Sequence, residues 1–283
     1  MGRDELDFTL CIFCSALSSY RCQTVLKPIP STHSHYPNPI DQLFNDFKLI
    51  TSSDSSSDSM TDLTTWLRNK SDPLILKPLQ SDVFSEYCGT NKHVAKPEYV
   101  VQIVTPPNQR FNTLSIEHGT TTAYHGTHTE NVYSILHTGL VGNLNKRALF
   151  GEGTYLSSDL GVALSFSKQG IDWAPSRLGT SLMCVLVCDV INSNQVKKGK
   201  SEQAGLDFAG SKIPHNYFIV RNDEHVRVKE ILVYVTKHSK SKNAVLNFVK
   251  KNIFYLMILS YVAVLALAGL ANSPRVKRWF LKW

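Results

Sequence analysis

Five short runs in the second half of the chain are rich in β-branched and aromatic residues and are bounded by glycine, proline and asparagine. Strands of a half-buried sheet have this composition, and such boundaries are typical of turns between them. The runs predict five strands of a mixed sheet, at 98–105, 121–127, 181–190, 216–222 and 228–236.

One helix is predicted between the second and third of these strands, at HTENVYSILHTGL. Its apolar residues recur at helical spacing and form one stripe, which consists of Val132, Ile135, Leu136 and Leu140. Thr129 is a candidate cap for the first turn, and Gly139 can take a left-handed conformation at the end. Together, the strands and the helix predict an α+β domain over residues 96–236, which is long enough to have a core of its own.

The first part of the chain has a helical pattern with breakers between its segments. IDQLFNDFKLI and the segment around Met60, Leu63 and Trp66 each place apolar residues on one helix face, and PIPSTHSHYPNP and SSDSSSDS separate the apolar segments. Residues 1–95 are therefore predicted to be an N-terminal α-helical module.

Residues 252–273 carry no charged side chain, and at about 1.5 Å per helical residue they reach the ~30 Å thickness of a hydrocarbon core. We expect a transmembrane tail anchor, preceded by a basic juxtamembrane linker at 237–251 and followed by a short lumenal tail at 274–283. Everything before the span should then lie in the cytosol.

The basic excess lies beside this span. The net charge is +7, but nine of the 30 Lys and Arg residues fall within residues 237–283, which contain no acid. Lysines there can meet anionic lipid headgroups, so a lipid bilayer is expected as a partner and a nucleic acid is not.

The six cysteines are expected to be free thiols in a reducing compartment. Cys11 and Cys14 form one C-x-x-C, but neither a second pair nor a histidine at finger spacing accompanies them. Burial on an apolar helix face is the favoured interpretation, and no metal site is predicted.

Two motifs carry the candidate chemistry: a strand ends in YHGT, and after the predicted helix the chain reads FGEGTYLSSD. In order, spacing and intervening helix they resemble the H-G-[ST] and F-G-x-G-x-Y-[FL] pattern of the diphtheria-toxin-like ADP-ribosyltransferases, the poly(ADP-ribose) polymerase family. The resemblance covers about residues 96–236. It implies an α+β fold with split mixed and antiparallel β-sheets around an NAD cleft.

The resemblance also implies roles for individual residues in binding NAD, with no metal. His125 would hydrogen-bond the nicotinamide ribose through its 2′-hydroxyl, and the main chain of Gly126 would hold the nicotinamide carboxamide. Tyr155 would form an aromatic wall for the ring. Phe166 occupies the place of a second stacking tyrosine. Ala163 stands where many relatives have a serine.

Tyr217 stands where the chain-building members of the family have a glutamate. A phenol ordinarily keeps its proton at pH 7 and is a poor base, so the implied product is a single ADP-ribose unit per acceptor. His125, Tyr155 and Tyr217 are thus the candidate catalytic residues. Glu152 is predicted to be a surface or loop residue. Segment 167–180 is predicted to be a mobile loop over the cofactor, in which Trp173 either anchors the loop, the favoured interpretation, or contacts NAD.

The sequence predicts a membrane-anchored mono-ADP-ribosyltransferase that acts on protein side chains near the cytosolic membrane face, with automodification as an option. With its anchor, the chain is similar to membrane-anchored members of the family in the endoplasmic reticulum. The nuclear envelope and the mitochondrial outer membrane are alternatives. An alternative function is a weak or inactive scaffold that binds NAD or ADP-ribose at the membrane.

Overall fold

The computed structural model describes residues 1–272 except for 32, 35, 53–57, 71–72, 89–92, 105–107, 143–150, 172–175, 180, 200–204, 207–211 and 237–243. The chain divides into two compact units, Met1–Lys237 and His238–Trp283. The first unit contains the motifs described above, and the second contains the candidate membrane span.

Nine α-helices, one 3₁₀-helix (Asp223–His225) and ten strands occur in the described residues. The helices are α1 (Arg3–Leu17), α2 (Cys22–Val25), α3 (Pro39–Ser52), α4 (Asp58–Lys70), α5 (Ser81–Cys88), α6 (Gln109–His118), α7 (Thr129–Thr138), α8 (Leu160–Ser165) and α9 (Ala244–Asn272). The strands are β1 (Leu74–Pro78), β2 (Tyr99–Ile103), β3 (Thr120–Gly126), β4 (Thr154–Ser157), β5 (Ser181–Ile191), β6 (Val196–Lys198), β7 (Gly205–Leu206), β8 (Lys212–Ile213), β9 (Tyr217–Val220) and β10 (Val226–Thr236).

Eight strands form one sheet in the order β1-β2-β10-β5-β3-β4-β9-β6, with every neighbouring pair antiparallel, while β7 and β8 form a separate ribbon. The sheet narrows between β3 and β4, which share only the pair Tyr124↔Ser157 although both strands are fully described. Beyond this pair the ends of β3 and β4 separate. The fold is therefore α+β with a sheet that is nearly divided in two, as the resemblance implied. The mixed sheet predicted from the strand pattern is wrong for the described strands, because all their pairs are antiparallel.

Each face of the sheet has its own core. One face is covered by α5 and α8; it carries Tyr124, Val187 and Leu232, and we call it the α8 face. The other is covered by α1 and α7; it carries Leu186 and Val233, and we call it the α1 face. Because side chains alternate along a strand, this assignment tells which face each strand residue occupies.

Helix α1 is an integral part of the core. Every residue from Asp7 to Leu17 is buried, and the ring of Phe13 packs edge-on against Tyr133 of α7 with centroids 5.2 Å apart. Cys11 and Cys14 are buried free thiols on this helix, which confirms their predicted burial. Burial raises the pKa of Cys11 to about 12 and that of Cys14 to about 11.

All five predicted strands are present, as β2, β3, β5, β9 and β10, and the predicted helices are α3, α4 and α7. The range 1–95, predicted to be a helical module, also contains β1, which pairs with β2 along its whole length. Residues 74–78 of the predicted helical module therefore belong to the sheet.

The start of α7 differs from the prediction. Thr129 is the first residue of the helix, and its N-cap is His128. The hydroxyl of Thr129 instead lies 2.9 Å from both the Lys168 and Leu182 main-chain oxygens. At the other end Gly139 has the expected positive φ, 75°, but its ψ of −173° is extended rather than left-handed helical.

The second unit contains α9, in which Asn252 has the non-helical angles φ −113° and ψ 15°. Within the described residues, no helix combines the length and the apolar character needed to cross a bilayer. Helix α9 contains the predicted span 252–273 as far as Asn272, and residue 273 lies outside the described residues.

Candidate active site

His125 and Tyr155 meet where β3 and β4 separate. The Nδ1 atom of His125 lies 2.7 Å from the main-chain oxygen of Tyr155. Since a carbonyl oxygen only accepts, Nδ1 carries the hydrogen, and Nε2 of the neutral ring is an acceptor. Burial lowers the pKa of His125, against a smaller opposite effect of this hydrogen bond. The imidazole is therefore neutral at pH 7 and presents one lone pair.

Gly126 lies directly beneath α8. A Cβ atom at this position would be 1.7 Å from the Ala163 main-chain oxygen and 3.0 Å from the Cβ of Phe166. Only glycine allows the end of α8 to approach β3 this closely. Phe166 follows α8 as its C-cap, and its side chain remains 57% exposed beside Gly126. The ring of Phe166 is therefore exposed immediately next to the Gly126 backbone.

Asp159 determines where α8 begins. Its carboxylate accepts hydrogen bonds from the main-chain N–H groups of Gly161, at 2.7 Å, and Val162, at 3.4 Å. An N-cap of this kind satisfies donors that a helix leaves free. The SSD sequence of the motif thus starts the short helix whose far end bears Phe166.

Tyr155 belongs to β4 and is oriented by the glycine turn before it. Its hydroxyl donates to the Gly151 main-chain oxygen at 2.7 Å. Gly151 has φ 91° and Gly153 has φ 148°, and a Cβ at Gly153 would lie 2.8 Å from the Val220 oxygen in β9. Glu152, between the two glycines, is exposed as predicted.

Tyr217 lies on the strand next to Tyr155. In the β4–β9 register Tyr155 is opposite Ile219 and Tyr217 is opposite Ser157. Ser157 is in turn opposite Tyr124, so Tyr155 and Tyr217 both lie on the α8 face. Residues diagonally related in this way have Cβ atoms about 7–8 Å apart, within reach of aromatic side chains. The fold thus places Tyr155 and Tyr217 on the same face as α8, whereas His125 is opposite Leu186 of β5 and belongs to the α1 face, from which it reaches the main-chain oxygen of Tyr155.

The sequence did not reveal a group of polar residues that supports β3 just before His125. The hydroxyl of Tyr124 donates to the Tyr87 main-chain oxygen at 2.9 Å, and the Tyr87 hydroxyl donates to Glu230 at 2.8 Å. Burial raises the pKa of Tyr124 to about 12 and raises that of Tyr87 further, with Glu230 adding to the rise. Both phenols therefore stay protonated and able to donate. These residues are too far apart in sequence for a local pattern to connect them.

The described residues of segment 167–180, the predicted mobile loop, make hydrogen bonds on both sides of residues 172–175, which lie outside the described residues. The Gly170 N–H donates to the Leu182 oxygen at 2.8 Å. The buried carboxylate of Asp7 in α1 accepts from the N–H groups of Arg177, at 2.7 Å, and Leu178, at 3.3 Å. Trp173 lies outside the described residues. In the described part of the chain, no group of three or more His, Cys, Asp or Glu residues could hold a metal ion.

Comparison with known proteins places this geometry in a family. Residues 86–226 match the poly(ADP-ribose) polymerase catalytic domain, and residues 3–71 match the ARTD15 N-terminal domain. Protein mono-ADP-ribosyltransferase PARP16 of Mus musculus is 34% identical over 309 residues, which cover 98% of this chain and 96% of that protein.

The chain belongs to the poly(ADP-ribose) polymerase family. Within this family, PARP16 of Homo sapiens is 33% identical over 99% of this chain and 94% of its own length. Protein mono-ADP-ribosyltransferase PARP8 of Homo sapiens is 25% identical over 82% of this chain, but only 32% of PARP8 is covered. The enzyme class is that of the NAD-dependent mono-ADP-ribosyltransferases.

Proposed function

We propose that this protein is a membrane-anchored mono-ADP-ribosyltransferase that transfers a single ADP-ribose from NAD to a protein side chain and releases nicotinamide. The observation that carries the proposal is the hydrogen bond from His125 Nδ1 to the Tyr155 oxygen, at 2.7 Å. It fixes the tautomer of the imidazole, so that Nε2 carries the lone pair, at the residue that precedes Gly126 and in contact with the main chain of Tyr155.

The residues around this point fit the nicotinamide end of NAD. Nε2 of His125 would accept a hydrogen bond from a ribose hydroxyl. The backbone of Gly126 would hold the carboxamide, and the rings of Tyr155 and Phe166 would enclose the pyridine ring. By holding ring and ribose at fixed positions, these groups would orient the glycosidic bond for cleavage.

Tyr217 supports transfer of one unit rather than chain growth. Extension of a chain requires a ribose hydroxyl as the nucleophile, and a hydroxyl attacks efficiently only when a base takes its proton. A phenol is a poor acceptor of that proton at pH 7. An acceptor carboxylate is already ionised and needs no base.

Incubation of the full-length protein with labelled NAD and a protein acceptor tests the activity. Electrophoresis should show label that adds one unit per site without lengthening over time, and His125→Ala should reduce it at least about 100-fold. A ladder of lengthening products would contradict single transfer. If folded wild-type protein binds NAD but incorporates no label, the protein is a binding scaffold, an alternative favoured by the missing hydroxyls at Phe166 and Ala163.

The membrane anchor is proposed from residues 252–273, which lack charge and are followed and preceded by basic residues. Large apolar side chains of α9 are exposed, including Phe254, Met257 and Leu259 at 64–68%. We propose the endoplasmic reticulum membrane, with the catalytic unit in the cytosol and proteins near that surface as substrates. The same protein is expected to automodify.

Imaging of the protein with an N-terminal fluorescent fusion tests the location. The signal should outline the endoplasmic reticulum, resist alkaline carbonate extraction, and be destroyed by protease added to cells with a permeabilised plasma membrane. Removal of residues 252–283 should release the fluorescence from the membrane. A mitochondrial pattern would contradict the proposed organelle, and full extraction by carbonate would contradict the anchor.

A further inference from the structure

The strand beyond Tyr217 brings a lysine to the same face of the sheet as Tyr155. Ile219 of β9 is opposite both Tyr155 in β4 and Lys197 in β6. Directly opposed residues of an antiparallel sheet project from the same face. Lys197 therefore lies on the α8 face, in the row that begins with Tyr155.

The neighbouring lysine independently supports this orientation. The Nζ atom of Lys198 lies 2.5 Å from Asn192 Oδ1 and 5.1 Å from the centre of the Phe218 ring. Phe218 belongs to the core of the α1 face. Because Lys198 occupies the α1 face, alternation places Lys197 on the α8 face.

The position beside Tyr217 on this edge has no side chain. The N–H of Gly199 donates to the Tyr217 oxygen at 3.1 Å, and a Cβ at Gly199 would lie 1.9 Å from the Pro214 oxygen. Lys197 is thus related to Tyr217 by a diagonal of about 7–8 Å, which a lysine side chain can span. From β4 to β6, the α8 face therefore carries Tyr155, Tyr217 and Lys197.

We propose that Lys197 binds the carboxylate of the acceptor, an aspartate or glutamate side chain, as it approaches beside Tyr217. The inference rests on the proposed transferase function and assigns the acceptor side of that same site. An ammonium attracts a carboxylate and repels the ammonium of a lysine acceptor. Lys197 is therefore an acceptor-binding residue that sets specificity.

The transfer then needs no proton movement. A carboxylate oxygen forms a bond to C1′ of the ribose, and the bond from C1′ to the nicotinamide nitrogen breaks. Its electron pair stays on that nitrogen, which neutralises the pyridinium charge, and the product is an ester. This agrees with a tyrosine rather than a base at position 217.

The test compares Lys197→Gln with Lys198→Gln in the full-length protein. Both variants lose one positive charge from β6, on opposite faces. Two peptides that differ only in one glutamate or lysine serve as acceptors, and hydrolysis of NAD without acceptor is measured in parallel. Neutral hydroxylamine should release the label from wild-type products, because it cleaves esters.

For Lys197→Gln we expect the ratio of glutamate-peptide labelling to NAD hydrolysis to fall about tenfold, whereas Lys197→Arg should largely restore it. Lys198→Gln should leave the ratio unchanged. An unchanged ratio in Lys197→Gln would overturn the proposal. The proposal would also be overturned if peptide labelling and NAD hydrolysis fell equally because the KM for NAD had risen. In that case the Lys197 ammonium would bind the phosphates of NAD. Wild-type protein that neither hydrolyses NAD nor labels a peptide would instead refute the transferase function.

Discussion

The imidazole of His125 takes the place of a strand-to-strand contact, since its Nδ1 atom bonds the Tyr155 oxygen at 2.7 Å just beyond the last pair of β3 and β4. One hydrogen bond therefore joins the two strands where their ladder ends and also selects the tautomer of the ring. The acceptor nitrogen, Nε2, is the one left for a ligand.

The first prediction is a pH profile that reports this nitrogen. Burial lowers the pKa of His125, so the ring stays neutral until the pH falls below the ordinary value of about 6.5 for histidine. Protonation would place a hydrogen on Nε2 and remove the acceptor. We expect kcat/KM for NAD to be constant from pH 8 to about 6.5 and to fall only below that. An acid limb centred above pH 7 would contradict this assignment.

The second prediction concerns Phe166, which is 57% exposed beside Gly126. Aromatic stacking contributes about 0.5–1.5 kcal/mol beyond burial, so Phe166→Ala should raise the KM for NAD by up to about tenfold. Phe166→Tyr should remain close to wild type. Tyr20, which is 92% exposed, provides a matched control. Tyr20→Ala should leave the KM unchanged, and an equal effect of both alanine variants would exclude stacking by Phe166.

The elements that the sequence predicted are those with a strong apolar pattern. The central strands β5 and β10 are long; β5 is mostly buried, and β10 buries the run Ile231–Tyr234. Helix α6 was missed because Phe111 is its one buried residue, so it has no apolar stripe. Strand β1 was missed because it lies at the sheet edge, with one fully buried side chain and a terminal proline.

The candidate site, too, could be predicted from the sequence only in part. His125 and Tyr155 stand in contiguous motifs that can be read without a structure. Their contact depends on the single pair Tyr124↔Ser157, which no local pattern predicts. The support from Tyr87 and the position of Lys197 depend on pairings between distant segments, so they emerge only from the folded sheet.

The third prediction separates the packing role of Gly126 from other effects of glycine replacement. Gly126→Ala would place a Cβ 1.7 Å from the Ala163 oxygen, so α8 must move. We expect the free energy of unfolding to fall by about 1–3 kcal/mol or more, and the KM for NAD to rise as Phe166 moves. In Gly139→Ala the new Cβ meets nothing within 4 Å, although φ is 75°. That variant should lose stability through backbone strain but keep the wild-type KM.

The fourth prediction concerns Asp7 of α1, which is hydrogen-bonded to residues 176–178. Asp7 is 8% exposed, and its carboxylate accepts hydrogen bonds from the main chain of Arg177 and Leu178 and from the Ser176 hydroxyl. In Asp7→Ala these hydrogen bonds to a buried, charged acceptor are lost, which costs about 1–3 kcal/mol of unfolding free energy.

Urea unfolding of Asp7→Ala should therefore show a lower midpoint with an unchanged slope, because the same surface is exposed on unfolding. Asp4 lies on the same helix and is exposed, so Asp4→Ala should cost at most about 1 kcal/mol through the helix dipole. The KM for NAD distinguishes a local effect of Asp7→Ala from a global one. If Asp7 acts only by holding residues 176–178 against α1, Asp7→Ala should keep the wild-type KM for NAD at temperatures where it is folded. Equal stability of the two variants would show that the Asp7 carboxylate does not hold this segment in solution.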